Sequence, residues 1–209
     1  MATKVVFSLL PLLNRFDKSL LESYFQDGLR LIHYDVMDQF VHNTAFKGEY
    51  LDELKTIGFD VNVHLMVEQI IPQINFYLSQ PNVKRISFHV EPFSFAKIKE
   101  LIQLVKENGK EVGLAFKFTT NLQLYRPFFT TIDFITLMSV PPGKGGQAFN
   151  EAVFTNLKIA NHYNLKIEID GGIKVNNIDQ IKAFVDFIVM GSGFIKLEQW
   201  QRQKLLQTI

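Results

Sequence analysis

The sequence predicts a (β/α)8 barrel, and three observations carry the prediction. Eight short apolar, β-rich runs recur along 209 residues, their starts about 26 residues apart on average. Most gaps between them hold apolar residues at three- and four-residue steps, the spacing of an amphipathic helix. Glycines and polar groups crowd the C-terminal ends of the runs, where a barrel of this kind builds its active face. Strand and helix alternate without a linker, so residues 1–209 are expected to form a single domain. The rival is an open doubly wound sheet. It wants a glycine-rich turn after its first strand, and "LLPLLNRF" (9–16) has none.

The elements follow in order. "VVFSLL" (5–10) is the first strand. With the next residues it imitates a secretory leader, but only Lys4 precedes it and no small-x-small cleavage site follows. "LIHYDVM" (31–37) is the second strand, and a short helix is expected around 50–57. "VNVHLMV" (61–67) and "RISFHVE" (85–91) are the third and fourth. "FAKIKELIQLVKENG" (95–109) is the most regular helix, with Gly109 as its stop. "EVGLAFKF" (111–118), "FITLMSV" (134–140) and "KIEIDGG" (166–172) are the next three strands. "NNIDQIKAFV" (176–185) reads as a helix capped by Asn176 or Asn177, before the last strand in "DFIVMGSG" (186–193).

Composition narrows the function classes. Hydrophobic residues make up 47% and charged residues 21%, ordinary for a soluble globular protein. A net charge of +1 argues neither for nucleic-acid nor for membrane-surface partners, and none is expected. The absence of cysteine excludes disulfides and thiolate metal sites and suits a reducing cytosol. No run approaches the roughly 20 apolar residues of a membrane span. The expectation is a cytoplasmic protein.

Strand periodicity puts His33, Asp35 and Met37 on one face, and His64 and Met66 on another. Asp170 closes the seventh strand. Two histidines and two aspartates from three strands can meet at the barrel mouth. That donor set suits Zn²⁺, Fe²⁺ or Mn²⁺. A strand-end histidine or aspartate standing alone is more often a hydrogen-bonded structural residue, so both readings stand. "PGKGG" (142–146) and "GSG" (191–193) leave backbone N–H groups uncovered, as loops that cradle anions do. Glycines that merely make turns are the other reading. "DGG" (170–172) on the same rim favours phosphate.

"HYDVMD", "VHLMV", "FHVE", "LMSVPPGKGGQ", "IEIDGGI" and "GSG", in this order, resemble the ribulose-phosphate 3-epimerase family. The match runs from "FSLL" (7–10) to "GSGFIK" (191–196). The resemblance implies a TIM barrel of the ribulose-phosphate-binding type. It also implies a metal-dependent isomerase of the pentose phosphate pathway, interconverting ribulose 5-phosphate and xylulose 5-phosphate through a metal-stabilised enediolate. One divalent metal ion per chain would be held by His33, Asp35, His64 and Asp170, with Asp35 and Asp170 as the acid–base pair. Ser8, His64, Met37, Met66 and Met138 match residues lining the substrate. Gly143, Lys144, Gly145, Gly146, Gly171, Gly172, Gly191 and Ser192 match phosphate and substrate contacts. Family members commonly associate, which makes a homo-oligomer one expectation.

The chain departs from the family pattern in places. The loop after Asp38 is one residue short, with His42 in a proline's place. Pro142 follows a proline, Pro141, where the family has an asparagine; Lys144 replaces a phenylalanine, and Lys117-Phe118 the family's "NP". The shortened loop allows an epimerase of a longer ketose phosphate such as allulose 6-phosphate. A phosphosugar aldolase or decarboxylase would have only Lys117 or Lys144 to use, and a non-catalytic phosphosugar binder is disfavoured because binding phosphate needs neither the aspartates nor the histidines.

Overall fold

The computed structural model describes residues 3–209. Eight parallel strands close into a barrel in chain order. They are β1 (Lys4–Ser8), β2 (Leu31–Met37), β3 (Asp60–Met66), β4 (Val83–His89), β5 (Glu111–Phe116), β6 (Phe134–Met138), β7 (Ile167–Asp170) and β8 (Phe187–Met190). The ring is shut by β1 against β8, with Val5 opposite Ile188 and Phe7 opposite Met190. Outside it run α1 (Lys18–Gln26), α2 (Leu51–Ile57), α3 (Ile70–Leu78), α4 (Phe95–Glu107), α5 (Val153–His162), α6 (Val175–Ile181), the one-turn α7 (Ser192–Ile195) and α8 (Gln199–Thr208).

Strands buried on both faces explain why their runs read as nearly continuous apolar stretches. In β2, Ile32, Tyr34 and Val36 join the large core between barrel and helices. The alternate residues His33, Asp35 and Met37 are equally buried but belong to the barrel interior. Two helix starts are set by short polar side chains. Asp17 accepts from the backbone N–H of Leu20 at 2.9 Å before α1, and Ser94 accepts from that of Lys97 at 3.3 Å before α4.

Local details refine the sequence reading. β4 begins two residues before Arg85, at Val83. The fifth crossover is a 3₁₀ segment, Leu122–Phe128, with Pro127 inside it. The sixth helix is not capped by Asn176 or Asn177: it starts at Val175, and Asn177 Oδ1 reaches back to accept from the Lys174 N–H at 2.9 Å. Asn177 therefore closes the first turn from inside the helix.

The loops at the C-terminal ends of the strands are tied together. Asp38, just past β2, accepts from the N–H groups of Phe40, Glu68 and Gln69 at 2.9–3.2 Å. The shortened β2 loop also holds the β6 loop, because Asn43 Nδ2 donates to the Gly143 carbonyl at 2.6 Å. Gly143 has φ 104°, and a Cβ there would stand 2.8 Å from Cβ of Val41. Only glycine lets these two loops approach so closely.

Candidate active site

A small cleft opens at this end of the barrel. Asp35 and Asp170 enter it from β2 and β7, and Ser8 from β1. Met37, Met66 and Met138 line it as well. The first two also pack with Ala45, Leu10, Phe40 and Val41 in a small apolar cluster apart from the main core. The loop Gly143 to Gly146 covers one side, and Gly171, Gly172, Gly191 and Ser192 form the other. His33 and His64 are fully buried, with their ring nitrogens meeting the two aspartates at the barrel mouth.

Four donor atoms come together, one from each of His33, Asp35, His64 and Asp170. His33 Nε2 lies 3.1 Å from His64 Nδ1, 3.3 Å from Asp35 Oδ1 and 3.5 Å from Asp170 Oδ2. His64 Nδ1 lies 3.6 Å and 3.7 Å from the same two carboxylate oxygens. Ligands about 2.0–2.2 Å from a cation at tetrahedral angles stand about 3.3–3.6 Å apart. The five distances to the histidine nitrogens lie near that range, and all four donor atoms fall within 4.8 Å of one another. The other oxygen of Asp35, Oδ2, accepts from the Ser8 hydroxyl at 3.0 Å, which fixes the carboxylate plane.

Charge points the same way. Glu168 lies just below the cluster, its Oε1 3.6 Å from His33 Nδ1. Three carboxylates face one buried guanidinium, Arg85, which leaves the interior short of two positive charges. A dication supplies them, and so do two protonated imidazoles. Burial by itself pushes the His33 imidazole down, but Asp35, Asp170 and Glu168 override it and hold the ring at about 10. For His64 the burial effect is likewise overcome, by bonds to Asp170 and Asp35. Burial would raise the Asp35 carboxyl, yet the two imidazoles hold it well below the ordinary carboxylate range. Glu168 is lowered too: burial opposes its charge, and Arg85 and the imidazoles outweigh burial. The field inside this cage calls for cationic charge.

Beside the cluster, His89 stacks on His64 with ring centroids 5.1 Å apart and planes 20° from parallel. Its Nδ1 lies 2.8 Å from Glu91 Oε2. Glu91 Oε1 in turn accepts from the Lys117 N–H at 2.8 Å and the Thr120 hydroxyl at 2.5 Å. Lys117 Nζ sits 4.4 Å from the Phe40 ring centroid, not among the groups lining the cleft. Lys144 lines the rim and is exposed, placed neither beside the donor cluster nor in a desolvated pocket. An amine that forms a Schiff base is usually desolvated, so neither lysine suits that chemistry.

The glycines shape the far wall. Gly171 has φ 112° and Gly172 φ 65°, and a Cβ on Gly172 would stand 2.4 Å from the Phe149 backbone nitrogen. Gly191 precedes α7. Sequence reasoning passed over two residues here. Lys174 lines the cleft directly after "DGGI" and adds a second cation at the rim. Glu168 stands two residues before Asp170, so strand periodicity already placed it on the same inward face.

The comparisons agree along nearly the whole chain. The profile of the ribulose-phosphate 3 epimerase family matches residues 4–195. A ribulose-phosphate 3-epimerase of Mycoplasma pneumoniae is 65% identical over 205 residues, covering 98% of this chain and 95% of that protein. One from Buchnera aphidicola is 36% identical over 187 residues, covering 83% and 79%. In fold, the chain is similar to a mutant tryptophan synthase alpha-subunit from Pyrococcus furiosus, with a TM-score of 0.71 at 13% identity, covering 99% of this chain and 96% of that one. That likeness speaks for the barrel alone. With the profile spanning all eight strands and relatives this similar, the chain belongs to the ribulose-phosphate 3-epimerase family.

Proposed function

We propose that the protein interconverts D-ribulose 5-phosphate and D-xylulose 5-phosphate by inverting C3, with one divalent cation held by His33, Asp35, His64 and Asp170. The observation that carries this reading is the meeting of Asp35 and Asp170 at one cluster from strands three apart around the ring. Inverting a carbon beside a ketone removes its proton from one face and returns a proton to the other. Two carboxylates reaching the substrate from different sides divide that work, one acting as base and one as acid. Ser8 holds Asp35 in plane. Met37, Met66 and Met138 cover the reacting carbons with apolar, polarizable surface and keep water out, which strengthens every charge interaction inside. The cation, when bound, stabilises the negative charge that develops on the substrate oxygens of the enediolate. The bare N–H groups of the Gly171, Gly172 and Gly191 wall suit the phosphate, with Lys144 and Lys174 at the rim.

This reading places the protein in the pentose phosphate pathway and in the cytoplasm. Among the described residues no helix is long and apolar enough to cross a membrane. The test is a ribulose 5-phosphate assay on protein of measured metal content, with Asp35→Asn and Asp170→Asn alongside. Each variant should lose at least about 10³-fold in kcat, on the scale of removing a general acid or base. Full activity in either would sink the two-acid scheme. Allulose 6-phosphate assayed in parallel decides the sugar length.

A further inference from the structure

We infer that Glu168 is a positioning residue: it sets which nitrogen of His33 faces the donor cluster and strengthens that nitrogen as a ligand. The inference rests on the metal reading above. Glu168 occupies β7 one inward step below Asp170 and is 1% exposed. Both of its oxygens are tied down. Oε1 accepts from the Thr136 hydroxyl at 3.0 Å, and Oε2 from Asn62 Nδ2 at 3.2 Å and Arg85 Nη1 at 3.4 Å. Arg85 is itself clamped, its guanidinium carbon 3.7 Å from the Phe134 ring centroid and 4.1 Å from that of Phe187, with Nε 3.2 Å from Glu111. A carboxylate held on this side by three donors cannot swing away from His33.

His33 shows the other half of the arrangement. Its ring is buried and its Nδ1 has no hydrogen-bond partner. Glu168 Oε1 faces that nitrogen at 3.6 Å, so an approach of about half an ångström completes the bond. A proton on Nδ1, drawn by the carboxylate, leaves the lone pair on Nε2, and Nε2 is the atom that points at Asp35, His64 and Asp170. His64 is built differently. It presents Nδ1 to the cluster, its Nε2 has no partner, and a stacked His89 ring rather than a carboxylate backs it. The two histidines therefore differ in how they are set: His33 by an anion behind it, His64 by packing. A carboxylate behind a ligating imidazole fixes its tautomer and raises its basicity, and losing it typically costs 10–100-fold in metal affinity.

Cobalt(II) is the probe, because it reports both affinity and ligand field. The full-length protein and Glu168→Gln, which keeps the shape and removes the charge, are titrated with cobalt(II) and their visible bands compared. The variant should bind about 10–100-fold more weakly with shifted bands. A residue that only filled space would lower the melting temperature and leave the bands of the bound ion alone. Equal affinity and identical bands in the two proteins would overturn this inference while leaving the metal reading intact. A parent protein that takes up no cobalt would overturn both. If Glu168→Gln does not fold, ¹⁵N-imidazole NMR of the zinc-loaded parent decides. The inference expects a slowly exchanging proton on His33 Nδ1, and His33 bound through Nδ1 would refute it.

Discussion

Single side chains divide here into those that make charge and those that hold it still. Glu91 belongs to the second kind, with three groups bonded to its carboxylate in the loop after β4. Burial raises its carboxyl, but the bonds from His89, Thr120 and Lys117 win and hold it at about 2, below the ordinary 4.5. A carboxyl depressed in the folded state contributes stability above its unfolded value and loses it as pH falls through the folded value. Glu91→Gln should therefore be less stable than the parent at pH 7, with the gap narrowing as the pH falls from about 4.5 toward 2. Urea unfolding at several pH values checks this, and a gap that stays constant with pH would mean the charge contributes nothing. Lys144 is the opposite case, an exposed cation at the rim where the family pattern has phenylalanine. If it meets the phosphate, Lys144→Phe raises KM, more steeply at low salt, with kcat little changed. A KM unmoved at both salt levels would leave it a surface residue.

Elements were legible in the sequence where one periodicity ruled, and less so where a single residue broke it. The alternation in "LIHYDVM" placed His33, Asp35 and Met37 together because β2 is regular over all seven residues. Spacing assigns no element to the fifth crossover, which folds as a 3₁₀ segment containing Pro127. Asn177 misled because a capping side chain can act from the third helical position as well as from the cap. Glu168 escaped notice because the glycines after it carried the phosphate argument, although its place on the face was implied. Gly113 in β5 shows what an element demands of one residue. A Cβ there would stand 2.4 Å from the Phe134 ring, the ring on which Arg85 stacks. Gly113→Ala should cost about 1–3 kcal/mol, as overpacking does. An unchanged urea midpoint would show that Phe134 yields freely.

The whole molecule couples folding to its site, because the cluster draws on β2, β3 and β7 at once. An ion bound there ties together strands far apart in sequence and binds only where they are assembled. At a free cation concentration about 1,000 times the dissociation constant, the folded state gains about 4 kcal/mol. For a chain of this size that is a rise of roughly 8–16 °C in Tm. Thermal unfolding with and without a chelator measures it, and coincident curves would count against the cation. The barrel itself was readable at this scale from the recurrence of eight runs; the order in which its loops clasp was not, since Asn43 and Gly143 meet across about 100 residues.

The pairing of β1 with β8 also bears on how the protein is made. On the ribosome, β1 leaves first and finds β2 within about 25 residues, while Lys4 waits about 180 for Phe187. Until then the growing chain carries an open strand edge on each side, which is a template for pairing with a neighbouring chain. Contacts this distant in sequence are slow to form. The interval between the emergence of β2 and that of β8 is when a nascent copy is most exposed to aggregation, and when a chaperone has most to shield.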